Sequence, residues 1–197
     1  STTVGDPLMD IGVDLYGEVA VSHIVYLDKV NLEGPVTKRV LPSGGCVRTL
    51  SPAADLVSLL AHSVIKEHMY TLSEYYSFLI YLSRMSSDEV STFGRMMQEN
   101  VIVKAARTHM TLSAALHEAT YGKVPAKMRR LLLESGEDPF EKRRLGTEQF
   151  KTPHKFHPLT IMKALLEKVD KDKKTKRSLV DQMTAMLRPS FAQEVLT

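Results

Sequence analysis

The pattern of apolar and polar positions changes its period near residue 50. Before that point, short stretches either alternate apolar with polar residues or are apolar and β-branched, which predicts strands. Turn-forming residues separate these stretches at 31–35 and 42–45, so we expect three or four antiparallel strands. The predicted strands are Ile11 to Tyr16, Val19 to Leu27, Val36 to Leu41 and Cys46 to Leu50.

From Ser51 onward, apolar residues recur at helical spacing, and the start of the first helix is well marked. Ser51 suits the N-cap, Pro52 suits the first helical position, and Asp55 suits the positively charged first turn. A helix over 72–85 is apolar on most sides, so we expect it to lie centrally in the core. Residues 139–158 lack a clear period and are predicted to form a connector. Further helices are predicted over 86–101, 104–121, 125–135, 159–169 and 175–187.

These patterns predict an α+β protein, with a small antiparallel sheet followed by a body of many helices. The change of period divides the chain into a β region over 1–50 and a helical region over 51–197. We expect a second boundary within the connector, at about 137–157. Neither boundary is long or polar enough to be an obvious flexible linker.

Composition narrows the setting and excludes several classes of protein. The single cysteine, Cys46, rules out an intrachain disulfide and favours a reducing, cytoplasmic environment. No apolar run approaches the roughly 18 to 20 residues that span a bilayer, so we expect no membrane partner. The chain has neither a G-x-S-x-G nucleophile turn nor a G-x-x-x-x-G-K phosphate loop, which argues against serine hydrolases of that type and P-loop enzymes.

Charge is distributed unevenly along the 197 residues. The net charge is +3, but residues 1–100 carry 7 Lys/Arg against 12 Asp/Glu, and residues 101–197 carry 19 against 11. A basic half is typical of proteins that contact nucleic acid, whereas two oppositely charged halves also attract each other. Loops between helices are often basic for solubility alone. The densest basic segment supplies five candidates for nucleic-acid contact: Lys171, Lys173, Lys174, Lys176 and Arg177.

Aromatic residues are interleaved with the basic segments of the connector. Phe140, Phe150, Phe156 and His157 would be able to stack on unpaired bases if this part of the chain binds nucleic acid. The alternative, which we favour, is that these rings anchor the connector to the core.

Carboxylates recur on the strand-like sequence near the start of the chain. Asp10, Asp14 and Glu18 follow one another at every fourth position, and on an extended strand Asp14 and Glu18 share one face. Aligned carboxylates supply the oxygen ligands that Mg²⁺ prefers, and such ions assist phosphoryl transfer. The alternative is a solvent-facing polar edge of a hairpin, which spacing alone favours.

Two further residues have the chemistry for contact with a nucleotide or a phosphate. His62 and Lys66 lie one turn apart on the first predicted helix, where both side chains would face the same ligand. The alternative is that His62 is a half-buried packing residue beside the core, which is the more frequent role of a histidine on a helix.

The order of these motifs resembles the second half of a nucleotidyltransferase-like domain. In that family a third metal-binding carboxylate lies on a strand similar to Val13-Asp14-Leu15. In some members a hairpin then leads into a helix that opens with Ser/Thr-Pro-x-x-Asp and carries a histidine seven positions later. Ser51-Pro52-Ala53-Ala54-Asp55 and His62 stand in those places here, and the resemblance covers roughly residues 10–85.

The resemblance implies transfer of a nucleotidyl group from an NTP to a hydroxyl group, with Mg²⁺ as cofactor and Asp14 as a metal ligand. The family's Gly-Ser turn and acidic pair do not occur before Asp14. We therefore expect either a degenerate relative or the C-terminal part of a longer protein. The alternative function is a non-catalytic helical module that binds nucleic acid or protein through its basic half.

Overall fold

The structure, a computed structural model, describes residues 2–6, 11–15, 19–21, 24–33, 36–40, 42, 44–147 and 150–186. The strands are β1 Thr2–Asp6, β2 Ile11–Leu15, β3 Val19–Val21, β4 Ile24–Leu27, β5 Val36–Val40, β6 Cys46–Leu50, β7 Met69–Tyr70 and β8 His154–Lys155. The helices are α1 Lys29–Glu33, α2 Pro52–Ala61, α3 Leu72–Arg84, α4 Ser87–Glu99, α5 Val103–Tyr121, α6 Ala126–Ser135, α7 Pro139–Thr147, α8 Pro158–Lys171 and α9 Lys173–Met186. A π-helical segment, His62–Glu67, continues α2.

The β region consists of antiparallel pairs, and the predicted α+β class is confirmed. In the described part of residues 1–50, β1 pairs with β2, β3 with β4, and β5 with β6, each as a two-stranded sheet. The predicted single strand over 19–27 is divided into β3 and β4, with an irregular register between Val19 and Ala20. Lys29–Glu33 forms the short helix α1 where turn residues were expected, since Asp28 accepts a hydrogen bond from the backbone N–H of Val30.

Side-chain caps begin α2, α3 and α4 at the positions that the sequence predicts. Ser51 accepts a hydrogen bond from the backbone N–H of Ala54, and Pro52 opens α2, as predicted. Thr71 and Ser86 form reciprocal capping boxes with Glu74 and Glu89, which fix the starts of α3 and α4. Gly122 ends α5 with a φ of +69°, a left-handed conformation that glycine adopts without steric cost.

The helix at the centre of the body is α5, and the prediction that α3 is central was wrong. From Ala105 to Ala114, every residue of α5 except Arg107 is buried. On α3 one face is buried, whereas the apolar residues Leu72, Tyr76 and Ile80 are about half exposed. The prediction failed because the apolar content of a helix does not show which of its faces other elements cover. Among the described helices, none has both the length and the apolar character needed to cross a membrane.

Strand β4 of the β region is attached to α9 by hydrogen bonds between its backbone and side chains of that helix. The Thr175 hydroxyl donates to the carbonyl of Val25 at 2.8 Å, and the backbone N–H of Val25 donates to Ser178 Oγ at 3.0 Å. Tyr26 and Leu27, on the same strand, are fully buried in the common core. Strand β4 therefore has its edge satisfied by α9, which joins the end of the β region to that helix.

The connector is ordered by a buried carboxylate. Glu141, on α7, is fully buried and accepts hydrogen bonds from Thr160 Oγ1 at 3.1 Å, from Arg144 at 3.1 Å and from His154 Nε2 at 3.2 Å. Burial alone would raise the pKa of Glu141, but the bond from His154 and the charge of Arg144 hold that pKa below its usual range. These contacts stabilise a helix that the sequence pattern did not indicate.

Two aromatic residues of the connector pack inward, as we favoured. Phe156 is buried in the core and Phe150 packs against that core, stacked on the ring of His154. Strand β8 then pairs with β7 through Met69 and Lys155, which ties the connector to the end of the π-helical segment. Neither ring is exposed, so the structure does not support the alternative, in which Phe150 and Phe156 stack on unpaired bases.

Candidate functional site

A cavity of about 540 Å³ lies between the β region and α2. Asp55 and His62 both line it, because seven residues make almost two helical turns and place the two side chains on one face of α2 and its π-helical continuation. Most of the wall is apolar. The polar groups are few and converge from different elements, which is the usual composition of a small-molecule site. The apolar wall is formed by Val19, Leu32, Leu50 and Leu59.

Asp55 is held in place by a neighbouring helix. Its Oδ2 accepts a hydrogen bond from the Tyr81 hydroxyl on α3. Burial and this bond to the carboxylate raise the pKa of Tyr81 to about 12, so the phenol remains a donor at neutral pH. No described residue donates to the other carboxylate oxygen of Asp55, which is therefore able to accept a hydrogen bond from a ligand.

Both ring nitrogens of His62 have partners. Its Nδ1 lies 3.2 Å from the Tyr26 hydroxyl, and its Nε2 lies 3.0 Å from Glu67 Oε1. Burial and the nearby charge of Lys66 lower the pKa of His62, against the opposing effect of Glu67. The neutral ring then carries its proton on Nε2 and donates it to Glu67, while Nδ1 accepts from the Tyr26 hydroxyl.

His62 also begins the π-helical segment, and His68, the residue that follows its last residue Glu67, has a φ of +56°. Such segments are rare in proteins and are found frequently at functional sites. Lys66 lies within this segment, and its Nζ is 3.7 Å from Glu67 Oε1. The structure thus brings His62 and Lys66 together around Glu67, while only His62 of the two lines the cavity.

Sequence reasoning missed Lys29, the one lysine or arginine in the described lining of this cavity. Lys29 is the first residue of α1, is exposed at the cavity wall, and has no ion-pair or hydrogen-bond partner in the part of the chain that the structure describes. A lone lysine in a turn-like stretch gave no signal. Glu74, which also lines the cavity, is already engaged because its carboxylate accepts from the Thr71 backbone N–H at 2.6 Å.

The predicted metal ligand lies on the second strand. The backbone of Asp14 is in β2, paired with Thr3 of β1, so its expected strand position is confirmed. The contacts of its side chain lie outside the described part, and Asp10 and Glu18 lie outside the described residues. No group of three or more metal-binding side chains occurs among the residues whose side chains are described. The role of Asp14 as a metal ligand stays a prediction.

The five predicted nucleic-acid contacts divide into two groups. Lys171 pairs with Glu167 at 2.8 Å, and Lys174 pairs with Asp28 at 2.9 Å. The other three are exposed on the first turns of α9 and have no partner within the described ranges: Lys173, Lys176 and Arg177. Positions three and four apart share one face of a helix, so these three cations form a single patch.

Comparison with known proteins leaves the family open. A scan against models of protein families gives no match, and searches of curated proteins and of solved structures give none either.

Proposed function

We propose that this chain is a nucleotidyltransferase-like protein that binds an NTP with Mg²⁺ and transfers its nucleotidyl group to a hydroxyl group. One observation carries the proposal. Asp55 and His62, the two residues of the helix motif that resembles this family, line a single cavity against the β region, at the start of a π-helical segment.

The lining of this cavity suits the parts of a nucleotide. Its apolar wall offers a surface for the base, Lys29 offers a cation for a phosphate, and Asp55 offers a carboxylate oxygen for a ribose hydroxyl. A volume of about 540 Å³ is in the range of small-molecule sites, which is roughly 300 to 1,000 Å³. Asp14 is the residue that would hold Mg²⁺, which would neutralise phosphate charge during transfer.

The location of the site is tested at Lys29, whose exposed side chain can be changed without disturbing the core. We expect Lys29→Gln to weaken the binding of Mg²⁺–ATP at least tenfold, as measured by isothermal titration calorimetry. Lys38→Gln, on the exposed face of β5, is the matched control and is expected to bind like the unaltered protein. Equal affinities in all three proteins would exclude this cavity as the nucleotide site.

A second candidate function, nucleic-acid binding, is favoured by the patch on α9. Lys173, Lys176 and Arg177 stand at the positive end of a helix dipole, where cations are unfavourable unless an anion approaches them. Each cation that neutralises a phosphate contributes about 0.7 to 0.9 to the slope of log affinity against log salt. The three cations together are therefore expected to account for a slope of about two to three.

This candidate is tested by the salt dependence of binding to a generic single-stranded RNA. Changing all three patch residues to Gln is expected to reduce the slope by about two. The control changes Lys38, Arg39 and Arg48, which are exposed on the β5–β6 hairpin and remove the same charge. A slope that falls equally in both triple variants, or in neither, would contradict a specific role for α9.

A further inference from the structure

A second cavity, of about 460 Å³, lies between α4, α5 and α6. It shares no lining residue with the cavity at His62, so a role for it is independent of the proposed function. Three arginines from three different helices, Arg95, Arg107 and Arg130, converge on it, whereas Glu134 is the one carboxylate of its described lining. The cavity therefore presents an excess of positive charge.

Two of these arginines have partners within the protein. Arg130 lies 3.2 Å from Glu134 through Nε and donates to Ser91 Oγ at 2.9 Å, which orients its guanidinium across the cavity. Arg95 is 3.7 Å from Glu99, one turn further along α4. Both pairs are largely exposed, and such pairs leave the remaining N–H groups available to a ligand.

Arg107 has no such partner among the residues that the structure describes. Its Nε is buried and donates to nothing, and Gly136 lies against the guanidinium, with the position of a Cβ there only 3.6 Å from Cζ. Asp138 lines a smaller cavity with Arg107, but its two oxygens are taken by the Thr108 hydroxyl and by the backbone N–H of Phe140. The nearby carboxylate is thus already occupied.

His109, a buried residue on the same helix, can lose its proton and become neutral, whereas Arg107 cannot. His109 also has an unpartnered nitrogen, Nε2, but burial lowers its pKa to about 3, so the ring is neutral at pH 7. An arginine has no such option, because a guanidinium keeps its proton throughout the physiological range. A half-buried guanidinium whose N–H groups bond to no carboxylate is stabilised when an anion enters beside it and accepts hydrogen bonds from them.

We propose that the cavity formed by Arg95, Arg107 and Arg130 binds the phosphate group of a small phosphorylated ligand. A phosphate dianion matches the charge excess better than a carboxylate, and guanidinium groups bind its oxygens in pairs of parallel hydrogen bonds. Gln98, exposed at the wall and without a partner in the described structure, adds an amide donor. The volume accommodates more than the phosphate alone, so an organic phosphate is the better fit.

The test titrates the full chain with ribose 5-phosphate and with inorganic phosphate, in EDTA so that no metal contributes. We expect ribose 5-phosphate to bind at sub-millimolar concentration, and Arg107→Gln to weaken its affinity at least tenfold. Arg130→Gln, at a more exposed position, is a second variant with the same expected direction. Arg143→Gln, exposed on α7, is the control and is expected to bind like the unaltered protein.

The two probes also distinguish the source of the phosphate. Tighter binding of ribose 5-phosphate supports an organic phosphate, and equal binding supports recognition of the phosphate group alone. Failure of both probes to bind the unaltered protein at millimolar concentration would overturn the proposal. So would an unchanged affinity in folded Arg107→Gln and Arg130→Gln. Because the titration contains no metal, its outcome is separate from that of the Mg²⁺–ATP experiment.

Discussion

Two regions of the helical body differ in whether the charged group of a basic side chain is bonded to other residues of the protein. Where α8 meets α9, Lys168 is fully buried and its Nζ donates to the carbonyl of Asn100 at 2.5 Å and to Asp172 Oδ2 at 2.8 Å. In the cavity between α4, α5 and α6, the guanidinium of Arg107 forms no hydrogen bond or ion pair with the described residues. The first charge is part of the fold, whereas the second is available to a ligand.

A run of basic residues is therefore a poor measure of free charge. Within the segment 168–177, Lys168, Lys171 and Lys174 are engaged with carboxylates of the same protein. The arginine cavity is assembled instead from residues that are far apart in the sequence. The pairing of Lys174 with Asp28 also shows that the acidic and basic halves attract each other directly, at least at this contact.

The largest expected effect comes from removing the buried cation, Lys168. We expect Lys168→Met to lower the free energy of unfolding by about 3 kcal/mol, because Asp172 and the Asn100 carbonyl lose a buried partner. Urea denaturation at pH 7 measures this loss. Lys173→Met, at an exposed position at the start of α9, is expected to change stability by less than about 0.5 kcal/mol. Equal effects of the two substitutions would show that burial of Lys168 contributes nothing.

The next effect concerns His109 and appears on acidification. Its folded-state pKa of about 3 lies below the unfolded value of 6.5, so below pH 6.5 the unfolded chain binds the proton more readily. The contribution of His109 to the free energy of unfolding is therefore fully present above pH 6.5 and is lost as the pH falls. Between pH 7.5 and pH 5 the loss is about 2 kcal/mol. His109→Met is expected to reduce the pH dependence of unfolding by that amount. An unchanged pH profile would mean that folding does not lower the pKa of His109.

The smallest expected effect concerns Arg107, whose charge is not part of the fold. We expect Arg107→Gln to leave the free energy of unfolding within about 0.5 kcal/mol of the original value in phosphate-free buffer, because the guanidinium makes no hydrogen bond or ion pair with the described residues. Ribose 5-phosphate is then expected to stabilise the unaltered protein and not the variant. A loss above about 2 kcal/mol without ligand would identify Arg107 as a structural residue.

Local signals in the sequence predicted most of the long helices, although α1 and α7 were not among them. Ser51 and Pro52 start α2, and Gly122 ends α5, because caps depend on residues that are adjacent in the chain. The shared face of Asp55 and His62 also follows from spacing alone. By contrast, the pairing of Met69 with Lys155 joins distant segments, and no local signal indicates it.

The electrostatic part of the site was not predictable for the same reason. A buried lysine such as Lys168 looks like any other lysine in a basic run until its neighbours are placed. Lys29 and Arg107 likewise acquire their roles only from the cavities that surround them. Partners decide whether a charge is structural or available, and partners come from tertiary structure.

The decisive experiment for the proposed function is calorimetric titration of ATP into the unaltered chain and into Asp14→Asn, first with Mg²⁺ and then with EDTA. Asp181→Asn, exposed on α9, controls for the change of charge. We predict binding that requires Mg²⁺, weakens at least tenfold in Asp14→Asn and is unchanged in Asp181→Asn. Binding that is equal in all three proteins, or that persists in EDTA, would contradict a metal-dependent nucleotide site that includes Asp14.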